Sequence, residues 1–158
     1  MDFLIAKNEE IDEIYQLINL VFTPFLEKYR DDDVNPAKMT KDRLFEKMND
    51  EFSDFYVLKE NQIIIGLVRL VHVTWDFAGQ DKYHISLVGI HPDYQNQGRA
   101  QEMFQYIERN HHPKDGFELV TILQEERNIH LYEKLGYSKV GELIHHNSLQ
   151  DFVTLVKK

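Results

Sequence analysis

The sequence predicts a mixed α/β domain, of the α/β or α+β class, in which helices alternate with the strands of one sheet. Three observations support this fold class. The chain has 158 residues, the length of one domain. Apolar residues recur at both the strand and the helix period. The segments follow the order β-α-α-β-β-β-α-β-α-β-β, which gives about seven strands and about four helices. We therefore expect a single domain over residues 1–158 rather than a bundle or a barrel.

The first segments combine a strand with an amphipathic helix. Residues 2–6 read as a short strand, and Asn8 is a good N-cap for the helix that follows. Apolar residues recur at helical spacing from Ile11 to Phe22. Pro24 should interrupt or bend this helix, because proline lacks the amide hydrogen that the helix needs.

A polar loop and a second helix come next. Residues 29–39 read as a loop that contains the run Asp31-Asp32-Asp33. Thr40 can cap a helix whose inward side chains would be Leu44, Phe45 and Met48.

The rest of the chain contains six predicted strands and two predicted helices. Glu60 and Asn61 should form a hairpin turn, Pro92 should end a central strand, and Gly136 suits a helix C-terminus. Strands are predicted at residues 55–59, 62–73, 83–91, 117–123, 138–144 and 152–156. Helices are predicted at residues 98–110 and 126–135.

Composition excludes several classes of function. The chain has no cysteine, so disulfides, thiolate metal sites and cysteine nucleophiles are excluded. A net charge of −9 disfavours nucleic acid as a partner and would attract a cationic amine. No apolar run approaches the roughly 20 residues that span a bilayer, and the N-terminus has no secretory signal pattern. We expect a cytoplasmic protein that does not bind membranes. The pairs His111-His112 and His145-His146 read as solvated turn residues rather than metal ligands, so no metal is expected.

The segment from Leu87 to Ala100 carries the strongest chemical signal. A strand ends at Pro92, and a short polar loop then opens a helix whose first amides have no helical partner. Such an end binds phosphate groups when small residues let them reach the backbone, and Gly98 and Ala100 are small. Asn96 and Gln97 are uncharged, and Arg99 adds a positive charge. Neither a P-loop lysine nor the three spaced glycines of a dinucleotide site is present.

Two motifs resemble the GNAT superfamily of N-acetyltransferases. Gln95-x-x-Gly98-x-Ala100 matches its Q/R-x-x-G-x-G/A signature, and the segment from Leu131 to Tyr137 resembles its LYEKLGF segment. The resemblance implies the GNAT acyltransferase fold, with the sheet splayed between the fourth and fifth strands. It also implies an acetyl-CoA-dependent N-acetyltransferase that transfers an acetyl group directly to a small-molecule or peptide amine. The alternative is a non-catalytic acyl-CoA-binding or regulatory protein. A homodimer is possible in either case.

The resemblance assigns roles to residues of the second half of the chain. Main-chain groups of Val88, Gly89 and Ile90 would pair with the pantetheine arm, and the amides from Gln95 to Ala100 would hold the pyrophosphate. Tyr132 would protonate the departing thiolate. The family often has an asparagine seven residues before this tyrosine, where this chain has Glu125. Asn128 is the candidate to make that contact instead.

The general base and the acceptor contacts stay open at this stage. Glu125, His84 or a carboxylate acting through water could serve as the base, although Glu125 could merely cap a helix and His84 could be an ordinary strand residue. Asp33 could contact the acceptor or belong to a solvated charge run. Trp75 could wall the acceptor pocket or cover a sheet edge.

Overall fold

The computed structural model describes residues 1–73 and 80–158. In these two ranges, seven strands form one sheet in the order β1-β2-β3-β4-β5-β7-β6. The strands are β1 (Asp2–Ile5), β2 (Ser53–Glu60), β3 (Ile63–Val73), β4 (Lys82–Ile90), β5 (Phe117–Ile122), β6 (Ser138–Asn147) and β7 (Gln150–Lys157). The α-helices are α1 (Ile11–Tyr29), α2 (Lys41–Met48), α3 (Arg99–Asn110) and α4 (Glu126–Lys134). The predicted order of elements is confirmed.

Two apolar clusters anchor the helices to the sheet. Ile14, Ile18 and Leu44 of α1 and α2 are fully buried in one cluster with side chains of β2 and β3. Phe104 and Ile107 of α3 are fully buried in the other, which includes residues of β3, β4, β5, β7 and α4. Burial of these apolar faces is the main favourable term that holds the helices in place.

The sheet opens between β4 and β5. These strands are parallel, and only residues 83–85 of β4 pair with residues 117–119 of β5. The β4 strand then bulges near Leu87, whose φ is +51°, while its other edge stays paired with β3 as far as Ile90. The splay that the resemblance implied is therefore present, and it leaves a cleft above the last shared pair.

Helix α1 differs from its prediction at both ends. It runs through Pro24 to Tyr29, so the expectation of an interruption is wrong, while the alternative of a bend stays a prediction. The cost of one lost helical hydrogen bond is offset by burial of Val21 before the proline and Tyr29 after it. Asn8 does not cap the helix. It begins a 3-10 turn over Asn8–Glu10, and its side chain hydrogen-bonds to Asn49.

Helix α2 shows one correct cap and one misassigned side chain. Thr40 accepts a hydrogen bond from the amide of Arg43, as predicted. Leu44 is fully buried, but Phe45 is 48% exposed, so its inward assignment is wrong. A helix of eight residues buries only a narrow stripe, and Phe45 lies beside that stripe.

Turns account for the remaining differences. The β2–β3 turn lies at Asn61 and Gln62, both with positive φ, one residue later than predicted.

β6 and β7 extend to a tight connection at residues 148–149, so His145 and His146 lie on a strand rather than in a turn. The ring of His111 is only 8% exposed and lies beside Tyr56 and Tyr83, so it is not a solvated residue. Gly136, with φ of +100°, ends α4 as predicted.

No helix in the described ranges is both long and apolar enough to cross a bilayer.

Candidate active site

The loop before α3 presents a row of unused backbone amides. Gly98 is the N-cap of α3 and has φ of +79°. Within the described part of the chain, the amides of residues 96–101 have no hydrogen-bond acceptor. The loop is instead held by side chains: Gln95 donates to the carbonyl of Ile90 at 2.9 Å, and Gln97 donates to that of Asp93 at 3.2 Å. These free amides and the positive end of α3 suit an anion.

Two arginines lie at this loop, and each already has a partner. Arg99 donates to both carboxylate oxygens of Glu60, with a shortest distance of 3.0 Å. This pairing reduces the free positive charge that the sequence assigned to Arg99. Arg127, on α4, donates to the side-chain oxygen of Asn96 and so connects the loop to the neighbouring helix.

A cavity of about 390 Å³ lies directly against this loop and the splayed end of β4. Val88, Gly89 and Ile90, which the resemblance assigned to the pantetheine arm, are on its wall. Most of the predicted coenzyme residues line it; Gln97 is the exception. Its lining comprises Val21, Phe25, Val88, Gly89, Ile90, Tyr94, Gln95, Asn96, Gly98, Arg99, Ala100, Gln101, Glu125, Arg127, Asn128, Leu131 and Tyr132.

A second cavity of about 250 Å³ lies between β4, β5 and the loop after α1. Phe25, Val88, Asn128 and Tyr132 line both cavities, so the two spaces meet at these side chains. The other lining residues are Phe22, Asp31, Val34, Asn35, Pro36, His84, Ile85, Ser86, Leu87, Leu119, Val120, Thr121, Ile122 and Phe152. Tyr132 therefore lies at the boundary between the two spaces.

Tyr132 is held in place by aromatic contacts. The residue is 7% exposed, and its ring centroid lies 5.5 Å from that of Phe104. Burial raises the pKa of its phenol to about 12, so the hydroxyl carries its proton at neutral pH. Within residues 1–73 and 80–158, no side chain shifts the pKa of this hydroxyl through a hydrogen bond, and burial is the only cause of its shift. It is available to donate its proton to a ligand.

Glu125 connects α4 to the end of α1. Its carboxylate accepts hydrogen bonds from Lys28, at 2.7 Å, and from the hydroxyl of Tyr29. Burial alone would raise the pKa of Glu125, but these two donors outweigh it and leave the pKa lowered. A carboxylate stabilised in this way is a weaker base.

His84 lies on β4 in the wall of the second cavity. Its Nδ1 is 3.2 Å from Oε1 of Glu118, and Oε2 of the same carboxylate accepts a hydrogen bond from Lys82 at 3.0 Å. A histidine whose Nδ1 is held by a carboxylate presents its Nε2 as the proton acceptor. This is the base-and-orienter geometry of many general bases.

The acidic run after α1 separates into different environments. Asp31 is 3% exposed and lines the second cavity. Asp33 is absent from both described cavity walls, and its carboxylate pairs with His146 at 3.0 Å. Sequence reasoning singled out Asp33 and missed Asp31, because spacing within a charge run does not show which carboxylate turns inward. Trp75 lies outside the described residues.

The described residues contain no group of three or more His, Asp or Glu side chains that could hold a metal ion.

Comparison with known proteins identifies the family. A sequence model of the acetyltransferase (GNAT) family matches residues 11–137. The chain belongs to the GNAT family. The resemblance noted in the sequence is thus confirmed. No curated protein matches the chain.

Solved structures of GNAT acetyltransferases share the fold at low sequence identity. Spermidine N-acetyltransferase from Vibrio cholerae, in complex with CoA and spermine, is 18% identical, with a TM-score of 0.73 over 99% of this chain and 94% of that one. The ribosomal-protein-S18-alanine N-acetyltransferase from Escherichia coli is 13% identical, with a TM-score of 0.72 over 98% and 91%. NAA60 from Arabidopsis thaliana, in complex with a bisubstrate analogue, is 13% identical, with a TM-score of 0.72 over 99% and 96%. These likenesses confirm the fold.

Proposed function

We propose that this protein transfers the acetyl group of acetyl-CoA directly to a primary amine. The observation that carries the proposal is the meeting of two cavities at Tyr132, one against the free amides of the α3 loop and one in the splay of the sheet. Direct transfer needs two substrates side by side and a proton donor at their junction.

The first cavity suits the coenzyme. The amides of residues 96–101 are a fitting site for the pyrophosphate, because they are unused and lie at the positive end of α3. The edge of β4 beyond Ile85 lacks a strand partner on the β5 side in the described structure. Main-chain groups of Val88 to Ile90 would pair there with the pantetheine amides, and Asn128 would add a side-chain contact. One neighbour in the fold comparison was solved with CoA, which supports this assignment.

The proposed reaction forms one bond and breaks another. The neutral amine in the second cavity attacks the thioester carbonyl, the new N–C bond forms, and the C–S bond breaks as the tetrahedral intermediate collapses. The Tyr132 hydroxyl gives its proton to the sulfur as it leaves. A phenol with a pKa of about 12 transfers this proton uphill to a thiolate with a pKa near ~8.5 in water, and exclusion of water from the buried site raises the basicity of the thiolate.

His84 is our candidate for the base that takes the proton from the amine. It lines the acceptor cavity, whereas Glu125 lines only the coenzyme cavity and is held by Lys28 and Tyr29. His84 acts through its Nε2, and Glu118 holds the ring at Nδ1.

Replacement of Tyr132 by phenylalanine tests the function and the role together. General acid catalysis contributes roughly 100-fold or more, so Tyr132→Phe should lower kcat at least tenfold and leave the Kd of acetyl-CoA within about twofold. The measurement is release of free thiol from acetyl-CoA over a panel of primary amines.

Tyr137→Phe is the matched control, because its ring centroid lies 6.3 Å from that of Tyr132 and its buried hydroxyl has no described partner. It should keep full activity. Undiminished turnover by Tyr132→Phe would remove the residue as the acid. Tight binding of acetyl-CoA without turnover of any amine would favour the non-catalytic acyl-CoA-binding alternative.

A further inference from the structure

Asp31 is a buried carboxylate without a cationic partner. Its two oxygens accept hydrogen bonds from neutral amides, Nδ2 of Asn35 at 3.1 Å and Nε2 of Gln150 at 2.9 Å. No lysine, arginine or histidine in the described ranges pairs with it. Burial of a carboxylate with no opposite charge is costly. A carboxylate can accept about four hydrogen bonds, so its capacity is not filled.

A second orphan acceptor lies beside it. Gln150 is 1% exposed, and its Oε1 has no hydrogen-bond partner in the described structure. The amide cannot simply be reversed, because its nitrogen must face the carboxylate of Asp31. A positively charged group with several N–H donors would satisfy Asp31, which lines the second cavity, and an ammonium group has three such donors.

The position of Asp31 separates this pair from the reacting atoms. Asp31 lines the second cavity but not the first, whereas Tyr132 lies where the two cavities meet. Phe22, Phe25 and Phe152 also line the second cavity, and their rings suit an alkyl chain or the face of a cation. The cavity thus offers an apolar path between a proton donor and a buried negative charge.

We propose that Asp31 binds a second ammonium group on the acceptor, so that the preferred substrates are aliphatic diamines or polyamines. The inference rests on the proposed acetyltransferase function. One amine reacts beside Tyr132 while the other stays protonated at Asp31, next to Gln150. The chain's net charge of −9 would also attract such a dication.

A charge-only substitution gives the sharpest test. Asp31→Asn keeps the shape of the side chain and removes its charge. The oxygen of the new amide can still accept a hydrogen bond from Nδ2 of Asn35. Its nitrogen can donate to Oε1 of Gln150 if the Gln150 amide rotates by about half a turn. Asp32→Asn is the matched control: it makes the same change one residue later, on a side chain that is 67% exposed. Rates are measured at saturating acetyl-CoA with putrescine and spermidine, and with butylamine as the monoamine of the same length as putrescine.

We expect the wild type to prefer putrescine over butylamine by at least about tenfold in kcat/KM, the size of a charged hydrogen bond. Asp31→Asn should lower kcat/KM for putrescine and spermidine by about 10- to 100-fold and change that for butylamine by less than about threefold. Asp32→Asn should change neither, and thermal unfolding should show both variants folded. Equal losses for monoamine and diamines would mean that Asp31 is only structural, and the proposal would fail. A wild type without preference for diamines would also overturn it.

A failure of the acetyltransferase function itself gives a different pattern. If acetyl-CoA binds but no amine is acetylated, the proposed function is wrong. Calorimetric titration of putrescine into the CoA-loaded protein then tests the subsite by itself. Binding that Asp31→Asn weakens at least tenfold and Asp32→Asn does not would support the subsite. Absent binding, or equal binding by all three proteins, would refute it.

Discussion

At the scale of single residues, Glu125 shows how one side chain connects stability to pH. Its carboxylate is 19% exposed and is stabilised by Lys28 and Tyr29, which lower its pKa below the ordinary value of 4.5. A lowered folded-state pKa contributes stability that is present above the unfolded pKa and is lost as the pH falls through the folded pKa. The contact between α1 and α4 should therefore weaken as the pH falls into the acid range.

The variant Glu125→Gln should remove this pH-dependent contribution. We expect the free energy of unfolding to fall by about 1 kcal/mol at pH 7, because an ion pair is lost, with the difference from wild type shrinking as the pH drops below about 4.5. Urea unfolding at neutral and acidic pH measures this difference in the free energy of unfolding. Glu133→Gln, on the exposed face of the same helix, is the control and should stay within about 0.5 kcal/mol. A difference of constant size at all pH values would show that the Glu125 charge is not responsible.

Residue-scale prediction from the sequence was strongest where local backbone chemistry decides the outcome. Gly136 and Thr40 could be placed correctly, because helix capping depends on nearby atoms. The environment of Asp31 could not be predicted, since its partner Gln150 lies far along the chain. The pairing of Arg99 with Glu60 was missed for the same reason.

At the scale of elements, α3 fixes both the amide row and the ring of Tyr132. Phe104 is fully buried on this helix, and its ring meets those of Tyr132 and Tyr137 at 5.5 and 5.9 Å between centroids. One side chain thus secures the helix that presents the free amides and braces the proposed acid. The apolar residues of α3 recur at helical spacing, and this pattern predicted the helix at residues 98–110.

Removal of the Phe104 ring should cost much more than removal of an exposed one. Phe104→Ala should lower the free energy of unfolding by about 3–5 kcal/mol, through lost burial and the cavity that remains. Phe45→Ala, on the 48% exposed side chain of α2, should change it by less than about 1 kcal/mol. Denaturant unfolding of both variants makes the comparison. A similar cost for the two substitutions would mean that α3 is not anchored through this core.

Element boundaries were less predictable than element types. The rule that proline stops a helix failed at Pro24, because apolar residues on both sides of it are buried. Phe45 was assigned inward from its spacing, but a short helix leaves several apolar positions beside its buried stripe. These outcomes depend on tertiary packing, which a local pattern does not contain.

At the scale of the whole molecule, the proposed function depends on strands that part and a helix that begins where they part. The sheet opens beyond Ile85 and Leu119, and the amides of residues 96–101 lie at the rim of the resulting cleft. The order of elements predicted a mixed α/β domain, and the resemblance of two motifs to the GNAT superfamily implied the family fold. The division of the cleft into two cavities that meet at Tyr132 required the structure, since it depends on how α1, α4 and the sheet come together.

The central claim is that the amides at the start of α3 bind the pyrophosphate of acetyl-CoA, and calorimetric titration of acetyl-CoA tests it most directly. Three proteins are compared: the wild type, Gly98→Glu, and Gly141→Glu as the matched control. Gly98 and Gly141 both have positive φ, +79° and +69°, and open space where a side chain would start, so strain and added charge are similar. We predict that the wild type and Gly141→Glu bind acetyl-CoA with the same affinity and that Gly98→Glu binds it at least tenfold more weakly. A thermal unfolding transition should show that Gly98→Glu is folded. Equal affinity of all three, or no binding by the folded wild type, would contradict the account.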